Sequence, residues 1–313
     1  MPSSTEIHGI LAYPVTPFTE DHKVDTDKLA ALVDRLVTGG AHGIVPLGST
    51  GESAYLTEAE FDAVIDTTIG VVDSRVPVII GASDLTTANT IRRARYAERS
   101  GADAVMVLPI SYWKLSELEI AQHYAAIGAA IGIPIMVYNN PATSGIDMRP
   151  ELLVQMFADI DNVTMVKEST GDITRMERLS ELTGGQLPFY NGSNPMILKA
   201  FKAGAKGWCT AAPNLLPQPC LDLYAAAQAG DWTKAEAIYT ELKPFLEFIV
   251  AGGLPTTIKG GLDLLGQGVG DPRLPLLPLD DGGREELRRL LRSARPAQQL
   301  SGARRRCGRN SPR

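Results

Sequence analysis

The sequence predicts an α/β fold: a (β/α)8 TIM barrel followed by a C-terminal helical extension. Three observations carry this. Short apolar runs alternate with amphipathic stretches eight times along the chain. A helix–glycine–small-residue–strand junction recurs at Gly39-Gly40-Ala41, Ser100-Gly101-Ala102 and Ala203-Gly204-Ala205. After the eighth run, three helical segments follow with no strand between them.

The first candidate strand is Ile10–Val15, and the helix Asp27–Val37 after it aligns Leu29, Leu32, Val33, Leu36 and Val37 on one stripe. A second strand, Gly43–Leu47, leads to a helix with Phe61, Val64, Ile65 and Ile69 on one face. Thr57–Glu60, and later Ser116–Glu119, match the Ser/Thr-x-x-Glu capping box that starts a helix. Further strands are expected at Val76–Ile80, Ala104–Leu108, Pro134–Tyr138, Val163–Val166, Phe189–Asn191 and Gly207–Thr210. Most are continuous apolar runs, as parallel strands covered on both faces require. Pro150 and Pro195 suit first-turn positions of helices. Pro213–Ala229, Trp232–Val250 and Pro255–Leu265 form the extension. The division is therefore a barrel over 1–212, a helical extension of the same domain over 213–296, and a tail over 297–313. A dinucleotide-binding open sheet would want GxGxxG after its first strand, and none is present.

Composition narrows the classes. The chain of 313 residues is 44% hydrophobic and 21% charged, which suits a folded domain with a large core. A barrel of roughly 250 residues forms one domain. No run of eighteen or more apolar residues occurs, and Met1–Gly9 lacks a signal-peptide pattern, so neither a membrane partner nor secretion is expected. The three cysteines, Cys209, Cys220 and Cys307, give no even framework and no CxxC pair, as in a reducing cytoplasm. Beyond Gly283 there are ten arginines against two acidic residues; the rest carries 20 basic and 34 acidic side chains. A body that acidic argues against nucleic acid as a partner. The polar, Arg-rich segment 297–313 reads as disordered.

Barrel enzymes draw catalytic groups from the C-terminal ends of their strands. Of ten lysines, Lys167 alone ends a candidate strand, after Val163-Thr164-Met165-Val166. A partly desolvated lysine there is a nucleophilic amine; the plainer reading is a salt bridge to Glu168 or Asp172. Tyr138 ends another strand and is aimed at the same mouth, either as a proton shuttle or as a packed aromatic. Gly48-Ser49-Thr50-Gly51-Glu52 follows the second strand, and its N–H and O–H groups can grip a carboxylate. It lacks the Gly-Lys-Ser/Thr ending of a nucleotide loop, so phosphate is less suited; an ordinary turn is the bland alternative. Together these supply an anchor, a proton relay and an amine for an imine with a 2-oxo acid. The four histidines, His8, His22, His42 and His123, form no HxH or HExxH spacing. A zinc-dependent aldolase therefore finds no ligand set, and neither metal nor cofactor is expected. His42 reads as a capping or buried histidine.

These motifs, with Tyr138-Asn139-x-Pro141, Val166–Asp172 and Asn191-Gly192-Ser193, resemble the N-acetylneuraminate lyase/dihydrodipicolinate synthase family from about Ile7 to Leu291. The resemblance implies a barrel with a C-terminal helical part, usually a homotetramer, acting on pyruvate or another 2-oxo acid without a cofactor. It implies Lys167 as the Schiff-base lysine, Tyr138 as the proton-transfer tyrosine, and Ser49, Thr50 and Gly51 as the carboxylate loop. Thr143 and Ser193 would face the substrate, with Ser144 and Ala211 nearby.

Three departures qualify it. Dihydrodipicolinate synthases carry an arginine where Thr143 stands, and losing a bidentate carboxylate ligand weakens that specificity. Ser111 occupies the place of a relay tyrosine, with Tyr112 one residue later as a shifted substitute or, with Trp113, interface packing. Tyr13 stands where a small residue is usual, as a pocket wall, an acid/base group or packing. The leading expectation is thus a lyase or aldolase on a 2-oxo acid and an aldehyde. The aspartate-semialdehyde-condensing 4-hydroxy-tetrahydrodipicolinate synthase comes second, and a non-catalytic 2-oxo-acid-binding protein third.

Overall fold

The computed structural model describes residues 6–294. Its strands are β1 (Gly9–Ala12), β2 (Gly43–Ile44), β3 (Ile79–Gly81), β4 (Ala104–Val107), β5 (Ile135–Asn139), β6 (Val163–Glu168), β7 (Phe189–Asn191) and β8 (Gly207–Thr210). All pair in parallel in the order β2-β1-β8-β7-β6-β5-β4-β3. A parallel bridge between Ile44 and Val78 joins the two ends, so the sheet closes on itself. This is the (β/α)8 barrel that the sequence predicts.

The helices between strands are α1 (Thr26–Thr38), α2 (Glu58–Val72), α3 (Thr87–Ser100), α4 (Glu117–Gly128), the single turn α5 (Pro141–Ser144), α6 (Pro150–Asp159), α7 (Ile173–Thr183) and α8 (Ile197–Lys202). Beyond β8 come α9 (Pro217–Gln228), α10 (Trp232–Ala251), α11 (Leu254–Leu264) and α12 (Asp281–Ser293).

Local chemistry sets these boundaries. Thr57 and Ser116 cap α2 and α4 in full capping boxes, with Glu60 and Glu119 reaching back to the cap N–H groups at 2.9 and 2.7 Å. At the helix-to-strand junctions Gly40, Gly101 and Gly204 hold φ between 92° and 100°, a left-handed turn that glycine alone adopts without cost. Pro150 starts α6 as expected, whereas Pro195 lies in a 3-10 turn, Asn194–Met196, just before α8.

Two expectations need correction. β2 is shorter than its apolar run, because Pro46 has no N–H to continue the ladder and Leu47 turns to a left-handed φ of 61°, and β3 begins at Ile79 rather than at Val76. β6 is longer than predicted and includes Lys167 and Glu168, whose side chains are 5% and 0% exposed. The helix α12 went unrecognised. Four of the ten C-terminal arginines lie on it, two of them paired with Glu285 and Glu286, while Leu287, Leu290 and Leu291 are buried on its other face. The tail 297–313 lies outside the described residues. No helix among the described residues is long and apolar enough to cross a membrane.

Candidate active site

The C-terminal ends of the strands open onto a cleft of about 360 Å³ lined by Tyr13, Ser49, Thr50, Tyr138, Thr143, Lys167 and Ser193, among others. The register of the sheet sets Tyr138 on β5 directly beside Lys167 on β6. Lys167 Nζ lies 3.7 Å from the centre of the Tyr138 ring and 4.2 Å from that of Tyr13. The amine thus lies against two aromatic rings in the cleft.

The salt-bridge alternative for Lys167 fails on strand geometry. Successive side chains leave a strand on opposite faces, so Glu168 points away from Lys167. Its carboxylate accepts from Arg175 Nε at 3.2 Å, from Thr170 N at 2.7 Å and from Asn139 Nδ2 at 3.1 Å. Asp172 caps α7 through Thr174 N at 3.0 Å. Among the described residues Lys167 has no carboxylate partner.

Ser49-Thr50-Gly51 form a 3-10 turn directly after β2. Ser49 is exposed and Thr50 buried, and both line the cleft. Gly51 contributes shape, since its carbonyl accepts from Thr16 Oγ1 at 2.6 Å on the side away from the substrate space. Glu52, left-handed at φ 57°, turns its carboxylate into the protein. There Lys259 Nζ stands 2.6 Å from one oxygen and Arg273 N–H donates to the other at 2.7 Å. The loop is therefore tied to α11 and to the segment before α12.

Tyr138 Oη accepts a hydrogen bond from Asn140 Nδ2 at 2.7 Å, and the same amide donates to Thr143 Oγ1 at 2.8 Å. With its lone pair engaged by Asn140, the phenol keeps its own proton free to donate. Ser193 faces the cleft, and its backbone N–H donates to Asn191 Oδ1 at 3.3 Å. Ala211 lines the cleft; Ser144 does not, and its hydroxyl donates to the Asn140 and Ile146 carbonyls at 3.1 and 3.2 Å. Ser111 and Tyr112 do not reach the cleft of their own chain. Tyr112 and Trp113 are 96% and 79% exposed.

Tyr13, expected as a pocket wall, an acid/base group or packing, lines the cleft. Its hydroxyl donates to Met106 Sδ at 3.1 Å, and burial pushes its pKa well above the usual phenol range. It is a wall whose ring, not its hydroxyl, meets the amine.

Asn140, Lys259 and Ser169 were missed. Asn140 adjoins the Tyr138 motif and was legible there; nothing in the sequence around Lys259, in α11, marks it out. Ser169, two residues past Lys167, lines the cleft with a buried hydroxyl that has no partner. His42 accepts from Ile10 N at 3.1 Å, and burial lowers its pKa, consistent with a structural histidine. No cluster of three His, Cys, Asp or Glu side chains that could hold a metal occurs among the described residues.

Fold and cleft define a class: a barrel enzyme of the carbon–carbon lyase and aldolase type, which works through a lysine Schiff base. The model of the dihydrodipicolinate synthetase family matches residues 6–294, and the chain belongs to that family. The 4-hydroxy-tetrahydrodipicolinate synthase of Methanoculleus marisnigri is 35% identical, over 90% of this chain and 98% of its own. A Pseudomonas aeruginosa chain that carries the dihydrodipicolinate synthetase name provisionally is 56% identical; the match covers 93% of this chain and all of that one, with a TM-score of 0.92. The chloride-inhibited synthase of Acinetobacter baumannii, solved with pyruvate, is 30% identical over 92% of this chain and 99% of its own, with a TM-score of 0.89. The synthase name, placed second because of Thr143, is the one these relatives carry.

Proposed function

We propose that the chain forms an imine between Lys167 and C2 of pyruvate and condenses it with an aldehyde as a 4-hydroxy-tetrahydrodipicolinate synthase. The observation that carries the imine chemistry is the buried Lys167 amine, without a carboxylate partner, beside the Tyr138 phenol. The names of the relatives support the synthase over the broader lyase or aldolase, the reverse of the order that Thr143 alone suggests.

The steps follow from the groups present. Ser49 and Thr50 hold the pyruvate carboxylate with their hydroxyls and the N–H groups of their turn. The Lys167 lone pair attacks C2 and the C=O π electrons move to oxygen, which takes a proton from Tyr138. The Tyr138 phenolate takes a proton back from the nitrogen and passes it to the new hydroxyl; that oxygen leaves as water while the nitrogen lone pair closes the C=N⁺ iminium. The iminium then withdraws electrons from C3, whose proton passes to the Tyr138 phenolate; the enamine carbon so formed attacks the aldehyde carbonyl, whose oxygen takes that proton from Tyr138.

A second reading has its own support. Among the described residues no arginine lines the cleft, and Thr143 stands where a guanidinium would take the aldehyde's carboxylate. It makes the chain an aldolase for a partner without that carboxylate. Following pyruvate consumption with aspartate semialdehyde and with a panel of neutral aldehydes decides between the two. The synthase requires turnover with aspartate semialdehyde above that with every neutral aldehyde; the reverse order overturns it. We also propose a homotetramer, supported by the exposed Tyr112 and Trp113.

A further inference from the structure

We propose that the ring face of Tyr13 is a second wall of a cation clamp that stabilises the positively charged imine on Lys167. The proposal rests on the imine chemistry above and adds to it a residue that has no part in carboxylate binding or proton transfer.

Four contacts fix the residue. Tyr13 follows β1, and its backbone N–H donates to Thr210 O at 3.0 Å while its carbonyl accepts from Asn214 Nδ2 at 2.8 Å. The hydroxyl is anchored on Met106 Sδ. The ring lies across the bare Cα of Gly48, where an added Cβ would come within 3.0 Å of two ring carbons. Only 3% of Tyr13 is exposed, so its face toward Lys167 is shielded from water.

A cation within about 6 Å of an aromatic centroid is attracted by the ring quadrupole, and more strongly when desolvated. Lys167 Nζ satisfies this for both rings, at 4.2 Å from Tyr13 and 3.7 Å from Tyr138. Tyr138 has a proton to move as well as a face to offer. Tyr13 has only the face, because its hydroxyl is turned to sulfur and its phenol stays protonated. Condensing pyruvate with the amine releases water and leaves a cation at the same nitrogen. The carbinolamine before it and the enamine after it carry no charge there when the nitrogen is unprotonated. The clamp therefore favours the iminium over its neighbours on the reaction path.

The test uses the full chain, pyruvate and borohydride, with the fraction of protein trapped as the secondary amine read against pyruvate concentration. Tyr13→Phe keeps the face and is expected to match the wild type within about twofold. Tyr13→Leu is expected to weaken the trapped equilibrium about tenfold, a ratio equivalent to about 1.4 kcal/mol. Because Tyr13→Leu also alters packing, phenylalanines carrying one to five ring fluorines are placed at position 13. They keep the ring's shape and drain its negative face, so the equilibrium should fall stepwise with fluorination while the melting temperature stays level. Trapping that does not depend on fluorination overturns the clamp but leaves the imine chemistry intact. No trapping in the wild type overturns both.

Discussion

Replacing Lys259 by methionine keeps most of the volume of the side chain and deletes its ammonium. Lys259 and Glu52 are 2% and 0% exposed at their side chains and stand 2.6 Å apart. Lys259 also donates to Asp271 O at 3.1 Å and lies 4.0 Å from the Phe18 ring centre. Burial lowers the lysine's pKa, opposed by its pairing with Glu52. In Lys259→Met the Glu52 carboxylate stays buried with the Arg273 N–H on one oxygen and nothing on the other. Removing one partner of a buried pair costs about 3–5 kcal/mol. The hydrogen bond that remains from the Arg273 N–H places the loss near the lower end, about 3 kcal/mol. Urea unfolding should show this as a lower midpoint with an unchanged slope. The double variant Glu52→Gln/Lys259→Met no longer buries a lone charge and should recover about half of the loss. Glu52 sits two residues from Thr50, so KM for pyruvate should rise more than kcat falls. A loss below about 1 kcal/mol in Lys259→Met, or a double variant no more stable than the single, would refute the staple.

Acid should loosen the same region. The bidentate hydrogen bonds from Arg273 hold Glu60 at about 2, below its ordinary value of 4.5. A lowered folded-state pKa gives stability that is full above about pH 4.5 and lost as pH falls toward 2. Allowing for partial exposure the effect is on the order of 1–2 kcal/mol, and Glu60→Gln should flatten that part of the pH profile of urea midpoints. Gly192→Ala should cripple turnover, because a Cβ there would collide with Ser169 Oγ and come within 2.7 Å of Lys167 Cε. Displacing the amine by such an amount costs about 100-fold in kcat, measurable by pyruvate consumption with thermal stability as the control; near-normal kcat would contradict the tight seat described for Lys167.

The barrel was legible because strands buried on both faces read as unbroken apolar runs, and because glycine at the ends of α1, α3 and α8 marks the return to the next strand. Boundaries were less so. An apolar run does not say where ladder pairing stops, which is why β2 is shorter than Gly43–Leu47. The polar pair Lys167-Glu168 looked like a strand end, yet both residues continue β6, one toward the cleft and the other toward Arg175. Lys167, Tyr138, Ser49 and Thr50 could be singled out because each lies at or next to a strand end. Tyr13 and Lys259 could not be interpreted, because their partners, Lys167 and Glu52, are distant in sequence and meet them only across the closed barrel or from the helical extension. Thr143 carried too much weight in ranking the substrate, since one missing guanidinium was set against similarity over the whole chain.

The most direct test of Lys167 as the imine lysine is borohydride reduction in the presence of pyruvate, followed by peptide mass mapping. The expected result is one carboxyethyl group, carried by the peptide containing Lys167 and absent in Lys167→Ala. An adduct on any other lysine, an adduct that persists in Lys167→Ala, or no adduct in an active wild type would contradict it.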